Sequence, residues 1–226
     1  MSALGRATFM LYASIQFVVL TVCAMATYAG GTLFDPTTKR YGFFDNFFSD
    51  LGTTRAYSGR SNFVSCVLFV IALASIGAGI IAFASVWRSF AFGRSRARVL
   101  GVASQTFGTA SGLAFVGIAF TPWNLLLNIH NMLVLAAFSL LLGYVACVTI
   151  VLWRNEGAGA QVAANCAYLV VLFGYVGLIF FGPSLRTTHG HLAQVTGQKV
   201  IVYVSMVNLM FQAFATRRTL ARKEDR

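Results

Sequence analysis

Charge is scarce in this chain. Only 10% of its 226 residues are Asp, Glu, Lys or Arg, against about a quarter in soluble globular domains, and the mean hydropathy is +0.74. So little charge cannot cover a water-exposed surface, which excludes a soluble enzyme or binding module and leaves lipid as the solvent for most of the chain. Acidic residues are scarcest, six against 17 Lys and Arg, for a net charge of +11. The four cysteines, Cys23, Cys66, Cys147 and Cys166, fall inside apolar runs without a C-x-x-C spacing. They read as small hydrophobes, and no disulfide framework or zinc-finger motif is written here. A fixed-period repeat and low-complexity segments are also missing.

What is present is apolar length. Six runs, at roughly 9–29, 63–87, 99–120, 130–153, 161–182 and 199–216, each approach the ~20 residues a helix needs to cross a ~30 Å hydrocarbon core. The expected architecture is all-α: a polytopic membrane protein forming a single six-helix transmembrane domain over 1–226, with outer loops at 30–62 and 183–198. Arg6 ahead of an apolar run, with Ala24-Met25-Ala26 behind it, imitates a signal peptide; the run is read as the first membrane helix. If the spans alternate, Arg6, the Arg88/Arg94/Arg96/Arg98 cluster, Arg154, and Arg217, Arg218, Arg222, Lys223 and Arg226 share one side with both termini. By the positive-inside rule that side is cytoplasmic, where these residues meet anionic headgroups. A nucleic-acid partner is not expected.

Polar residues concentrate in Phe44–Asn62, FDNFFSDLGTTRAYSGRSN. Phe43, Phe44, Phe47, Phe48 and Leu51 recur at helical intervals, with Asp45, Asn46, Ser49 and Asp50 between them, the pattern of a short interfacial helix ended by a left-handed Gly52. Its phenylalanines would form an aromatic edge beside a lateral lipid entrance, its polar side facing the bundle. A second polar stripe, Gln194, Gln198, Ser205, Asn208 and Gln212, keeps to one face of the last span. It reads either as hydrogen-bonding glue between helices or as the wall of a hydrated cavity. Gly108 and Gly112 form a G-x-x-x-G spacing suited to close helix packing.

The three histidines, His130, His189 and His191, all fall at the outer ends of the later spans, on the side of Asp45 and Asp50. Imidazole is the commonest metal ligand, so His130, His189 and His191, with Asp50 and a water added, could hold a zinc ion that supplies hydroxide for attack on an ester or amide, an aspartate acting as general base. The spacing matches no H-E-x-x-H motif. A serine mechanism would need a histidine to reach Ser49, because Ser49 and Asp50 point about 100° apart on a helix. Catalytic candidates are thus Asp50, His130 and Ser49. Arg55, Arg60, Arg186 and Lys199 offer donors to a lipid phosphate, with Gln198 beside them.

Ser49-Asp50-Leu51-Gly52 after the first span, Ser61-Asn62 opening the second, and Ile129-His130-Asn131 opening the fourth, followed by Phe138 and Tyr144, resemble the six-helix membrane superfamily of the damage-regulated autophagy modulators and the GPI-anchor lipid-remodelling factor, together with its prokaryotic members. The resemblance runs through nearly the whole chain in span order. It implies a six-helix bundle, cytoplasmic termini, a lipid-related role, and Ser49, Asp50, Gly52 and His130 as motif residues; small size suggests a prokaryotic plasma membrane. It implies no catalytic mechanism and gives the His189-Gly190-His191 segment no counterpart. The expected function is binding or processing of a lipid headgroup at the outer leaflet, with a zinc-dependent lipid amidase or esterase, a small-molecule or ion transporter, or a structural membrane subunit as alternatives.

Overall fold

The computed structural model describes residues 1–90, 95–154 and 157–224. Arg94 and Arg226, counted above among the cytoplasmic arginines, lie outside the described residues, as do the side chains of Arg96 and Lys223. Helices follow in the order α1 (Ala3–Thr27), α2 (Phe63–Ala84), a short α3 (Val86–Phe90), α4 (Ser95–Ala119), α5 (Trp123–Trp153), α6 (Gly159–Phe181) and α7 (Thr188–Glu224). Among the described residues, six helices are long and apolar enough to cross a membrane, and the only β-pairing is an isolated bridge between Arg55 and Ser61. The protein is an all-α integral membrane protein, because a chain in hydrocarbon must satisfy its backbone groups within each segment.

Packing follows chain order. α1 lies on α2, α2 on α4, α4 on α5, α5 on α6, α6 on α7, and α7 returns to α1, so the six long helices close into a ring. The seam between α2 and α4 is tight: a Cβ on Gly112 would stand 2.6 Å from the Gly77 carbonyl oxygen. The close packing expected of Gly108 and Gly112 is therefore present, with Gly108 against Ala84 and Tyr144. Arg6 donates to Ser85 Oγ at 2.9 Å, tying the start of α1 to the end of α2. At 37 residues α7 is about 55 Å long, well beyond the hydrocarbon core, so its basic C-terminal turns continue past the bundle.

Residues 28–62 fold into an ordered cap at the end of the bundle where α1 finishes. Gly30 and Gly31 have φ of 91° and 86°, and a side chain on Gly31 would strike the Ser58 backbone nitrogen at 2.2 Å; here only glycine lets the chain leave α1 and return beneath its own loop. The α-helix expected over 43–51 is replaced by turns and one 3-10 helix, Phe48–Gly52. Buried side chains set this conformation. Asn46, fully buried, donates to Gly31 O and Asp50 Oδ2 and accepts from Gly42 N. Asn62, 1% exposed, donates to the carbonyls of Asp50, Leu51 and Thr53 while its Oδ1 accepts from Ala29 N. These bonds tie the loop to distant parts of the cap, while the amides that an α-helix over 43–51 would need are taken by side chains, Phe47 N by Asp50 Oδ2 and Phe48 N by Gln198 Oε1. Gly52 is not the left-handed terminator expected; its φ is not positive, and it is small because Phe69 lies where its Cβ would be, at 2.5 Å.

Candidate functional site: a cavity beneath the cap

A cavity of about 960 Å³ lies between the cap, α5, α6 and the start of α7. Ser49, Asp50, His130, Arg186, Gln194 and Gln198 all contribute to its lining, so half of the site residues expected from the sequence share one space despite their separation along the chain. The rest of the wall is largely apolar, including Leu127, Met132, Leu135, Ile179 and Phe180. Met132 on α5 and Phe180 on α6 are 71% and 53% exposed. The cavity is therefore open along the α5–α6 side, and its lining is exposed again beside the cap, at Phe34 and Leu185.

The polar end is built around Asp50. Its carboxylate is 1% exposed and accepts three hydrogen bonds: from Asn46 Nδ2 at 3.1 Å, Phe47 N at 2.8 Å and Trp123 Nε1 at 3.0 Å. All three donors are neutral. Burial raises its pKa to about 6, opposed by those bonds and by the charge of Lys199. Burial also raises the phenols of Tyr28, Tyr41 and Tyr57, helped in each by the nearby Asp50 charge.

Trp123 reaches Asp50 because α5 begins with a displaced turn. Pro122 caps the helix, and Leu126, at φ −132° and ψ 47°, interrupts it. The freed Thr121 carbonyl accepts from His130 Nδ1 at 2.7 Å. Since a carbonyl can only accept, Nδ1 carries the proton, and Nε2, which has no partner among the described residues, keeps its lone pair on the cavity side.

Three side chains of α7 hold the cap. His191 Nε2 bonds Asp45 O at 2.7 Å, Gln198 Oε1 accepts from Phe48 N at 2.7 Å, and Lys199 Nζ donates to Asn46 O. Lys199 also lies over the rings of Tyr41, Phe43 and Phe48 at 5.3, 5.4 and 5.0 Å. Being 2% exposed, it is a structural cation and not the phosphate ligand suggested by the sequence. Arg55 donates to Gly59 O and Arg60 to Ala29 O, and neither lines the cavity; of the three proposed arginines only Arg186 does.

The three-histidine zinc site is not assembled. His130 and His191 each spend a ring nitrogen on a backbone carbonyl, His189 is exposed on the first turn of α7, and among the described residues no group of three His, Cys, Asp or Glu side chains could hold a metal. The aromatic edge is also narrower than expected. Phe43 and Phe44 are exposed, but Phe48 is buried against Phe17 and Tyr203, and Phe47 lines the cavity with its ring against His191.

The polar stripe of α7 divides between the two roles it could have had. Gln194 and Gln198 face the cavity; Gln198 also bonds Tyr175 of α6. Below them Ser205 pairs with Tyr168 at 2.7 Å, Asn208 with Asn165 at 3.0 Å, and Gln212 with Gln161 at 3.1 Å. The intervals of 7, 3 and 4 residues occur on both helices in opposite directions, giving an antiparallel ladder that sets the α6–α7 register. The α7 half of this ladder is the polar stripe expected from the sequence; its α6 half, Tyr175, Tyr168, Asn165 and Gln161, carries the same spacing as an equally legible signal. Trp123 and Tyr57, whose rings meet at 5.5 Å, had no comparable signal.

No known protein family, curated protein or solved structure matches the chain.

Proposed function

We propose that the protein receives a membrane lipid in this cavity from the outer leaflet, with the headgroup at Asp50, His130 and Arg186 and the acyl chains leaving between α5 and α6. The observation that carries this reading is the amphipathic lining: a polar end under the cap joined to an apolar trough whose exposed rim, Met132 and Phe180, stands at the lipid boundary. A lipid bound in this way keeps its tails in hydrocarbon and avoids about 0.8 kcal/mol for every CH₂ otherwise extracted. The volume lies at the upper end of ligand pockets, about 300–1,000 Å³. The resemblance to the lipid-remodelling superfamily supports this reading and implies cytoplasmic termini; Phe43 and Phe44 then stand at the outer headgroup layer, where aromatic side chains are enriched.

Photoreactive-lipid crosslinking on the protein in nanodiscs tests the proposal. Labels should map to α5 and α6 around Met132 and Phe180, and Leu135→Trp, which fills the trough, should suppress them. Crosslinks spread evenly around the bundle and indifferent to Leu135→Trp would refute it. Cysteine labelling at position 58 checks sidedness, since reaction only after permeabilisation would invert the topology.

A further inference from the structure

Resting on the lipid reading above, we infer that the polar end of the cavity is a subsite for a primary ammonium group, and that the lipid is a phospholipid of the ethanolamine class.

The anion is already built and lacks an ion-paired partner among the described residues. A carboxylate accepts at about four positions, and Asp50 has three filled, each by a neutral N–H. The nearest structural cation, Lys199, commits its Nζ to Asn46 O and to three rings. Burying a carboxylate without a contacting cation costs several kcal/mol, so a cation delivered through the cavity is the complement this end lacks. An ammonium brings three donors, and beside Asp50 the lining offers two further acceptors: the His130 Nε2 lone pair and Ser49 Oγ.

The aromatic groups agree with this sign of charge. Trp123 and Tyr57 line the same end, and ring faces attract cations. A quaternary ammonium would use the rings and leave the acceptors unfilled, so the primary amine fits better. Among the described lining residues Arg186 is the one basic side chain, and it is exposed. That suits an anionic phosphate held nearer the entrance while the amine goes deeper. A phosphate-first orientation would put an anion against Asp50.

The test is native mass spectrometry of the purified full chain titrated with phosphatidylethanolamine, phosphatidylcholine and phosphatidylglycerol of identical chains, together with thermal-shift titration by free ethanolamine. The expected result is about tenfold preference for the ethanolamine lipid, the size of one charge-assisted hydrogen-bond set. Asp50→Asn should abolish the preference and Arg55→Ala should leave it unchanged. His130→Phe, which keeps ring volume and all three Asp50 bonds, should reduce it, and serves if Asp50→Asn fails to fold. Equal binding of the three lipids, or preference for phosphatidylglycerol, overturns the ammonium subsite while leaving the lipid reading standing. Asp50-dependent stabilisation by free ethanolamine with no lipid retained supports the subsite and overturns a lipid as its source. Retention of neither overturns both.

Discussion

Replacing Asn62 with alanine should loosen the cap by about 2–6 kcal/mol. The estimate follows from asking which of its partners can be satisfied without it. Leu51 O keeps the Ser65 hydroxyl at 3.1 Å, and Asp50 O keeps Thr53 N and Thr53 Oγ1. Among the described residues Thr53 O and Ala29 N have no other partner, so two groups are stranded under the loop, each costing about 1–3 kcal/mol when buried unsatisfied. Asn62→Asp should be worse despite its near-identical shape, because it keeps an acceptor for Ala29 N but turns an anion toward three carbonyl oxygens. The assay is hydrogen exchange of backbone amides in 43–62 with the helices as internal reference, since the loss is local to the cap. Loss of protection confined to the cap, larger for Asn62→Asp than for Asn62→Ala, is the expected result. Equal protection in all three proteins would refute the claim that this amide holds the loop together.

Asp50 makes the cap sensitive to pH. Its carboxyl is raised from 3.8 to about 6 in the folded protein, so its contribution to stability is fully present below about 3.8 and is lost as pH rises through about 6, by about 3 kcal/mol from this group alone; Asp50→Asn should flatten cap protection between pH 4 and 6, and an unchanged slope would reassign the effect. The groups facing it are Lys199 from α7, Trp123 from α5, and Tyr28, Tyr41 and Tyr57 of the cap, with the phenols neutral throughout. An ammonium ligand needs the ionised form, so its affinity should fall about tenfold between pH 7 and pH 5 in the same titrations. Gly112→Val should cost several kcal/mol in thermal stability through the clash with Gly77 O, whereas Gly174→Ala, where a Cβ meets nothing within 4 Å, should be neutral. In the ladder, Asn165→Leu and Asn208→Leu should each destabilise by about 1–3 kcal/mol, while the double variant should cost less than their sum; strict additivity would show that the pair does not interact.

The number of spans was legible because hydrocarbon imposes a length and a composition that few other environments do. The grouping of Ser49, Asp50, His130, Arg186 and Gln198 was legible because alternating spans put them at one end of the bundle. The conformation of 43–52 was not, because its helical periodicity was produced by residues that pack into a turn instead: Phe48 and Leu51 are core, and Asp50 and Gln198 take the amides of Phe47 and Phe48. Periodicity reports which residues are buried together, and a compact loop can satisfy it as well as a helix. The roles of the basic residues were also hidden. Charge alone suggested that Arg55, Arg60 and Lys199 serve a phosphate, but each is bonded to a nearby carbonyl, a partner that leaves no mark in composition. The kink at Leu126, which carries Trp123 to Asp50 and fixes the His130 tautomer, follows Pro122 closely, and proline before a span start was the available hint.

The most direct test of the account is a cryo-EM map of the protein in nanodiscs containing phosphatidylethanolamine. Elongated density should enter between α5 and α6 past Met132 and Phe180, its polar end within hydrogen-bond reach of Asp50 and His130. A cavity closed by side chains, with ordered lipid only around the outside of the bundle, would contradict it.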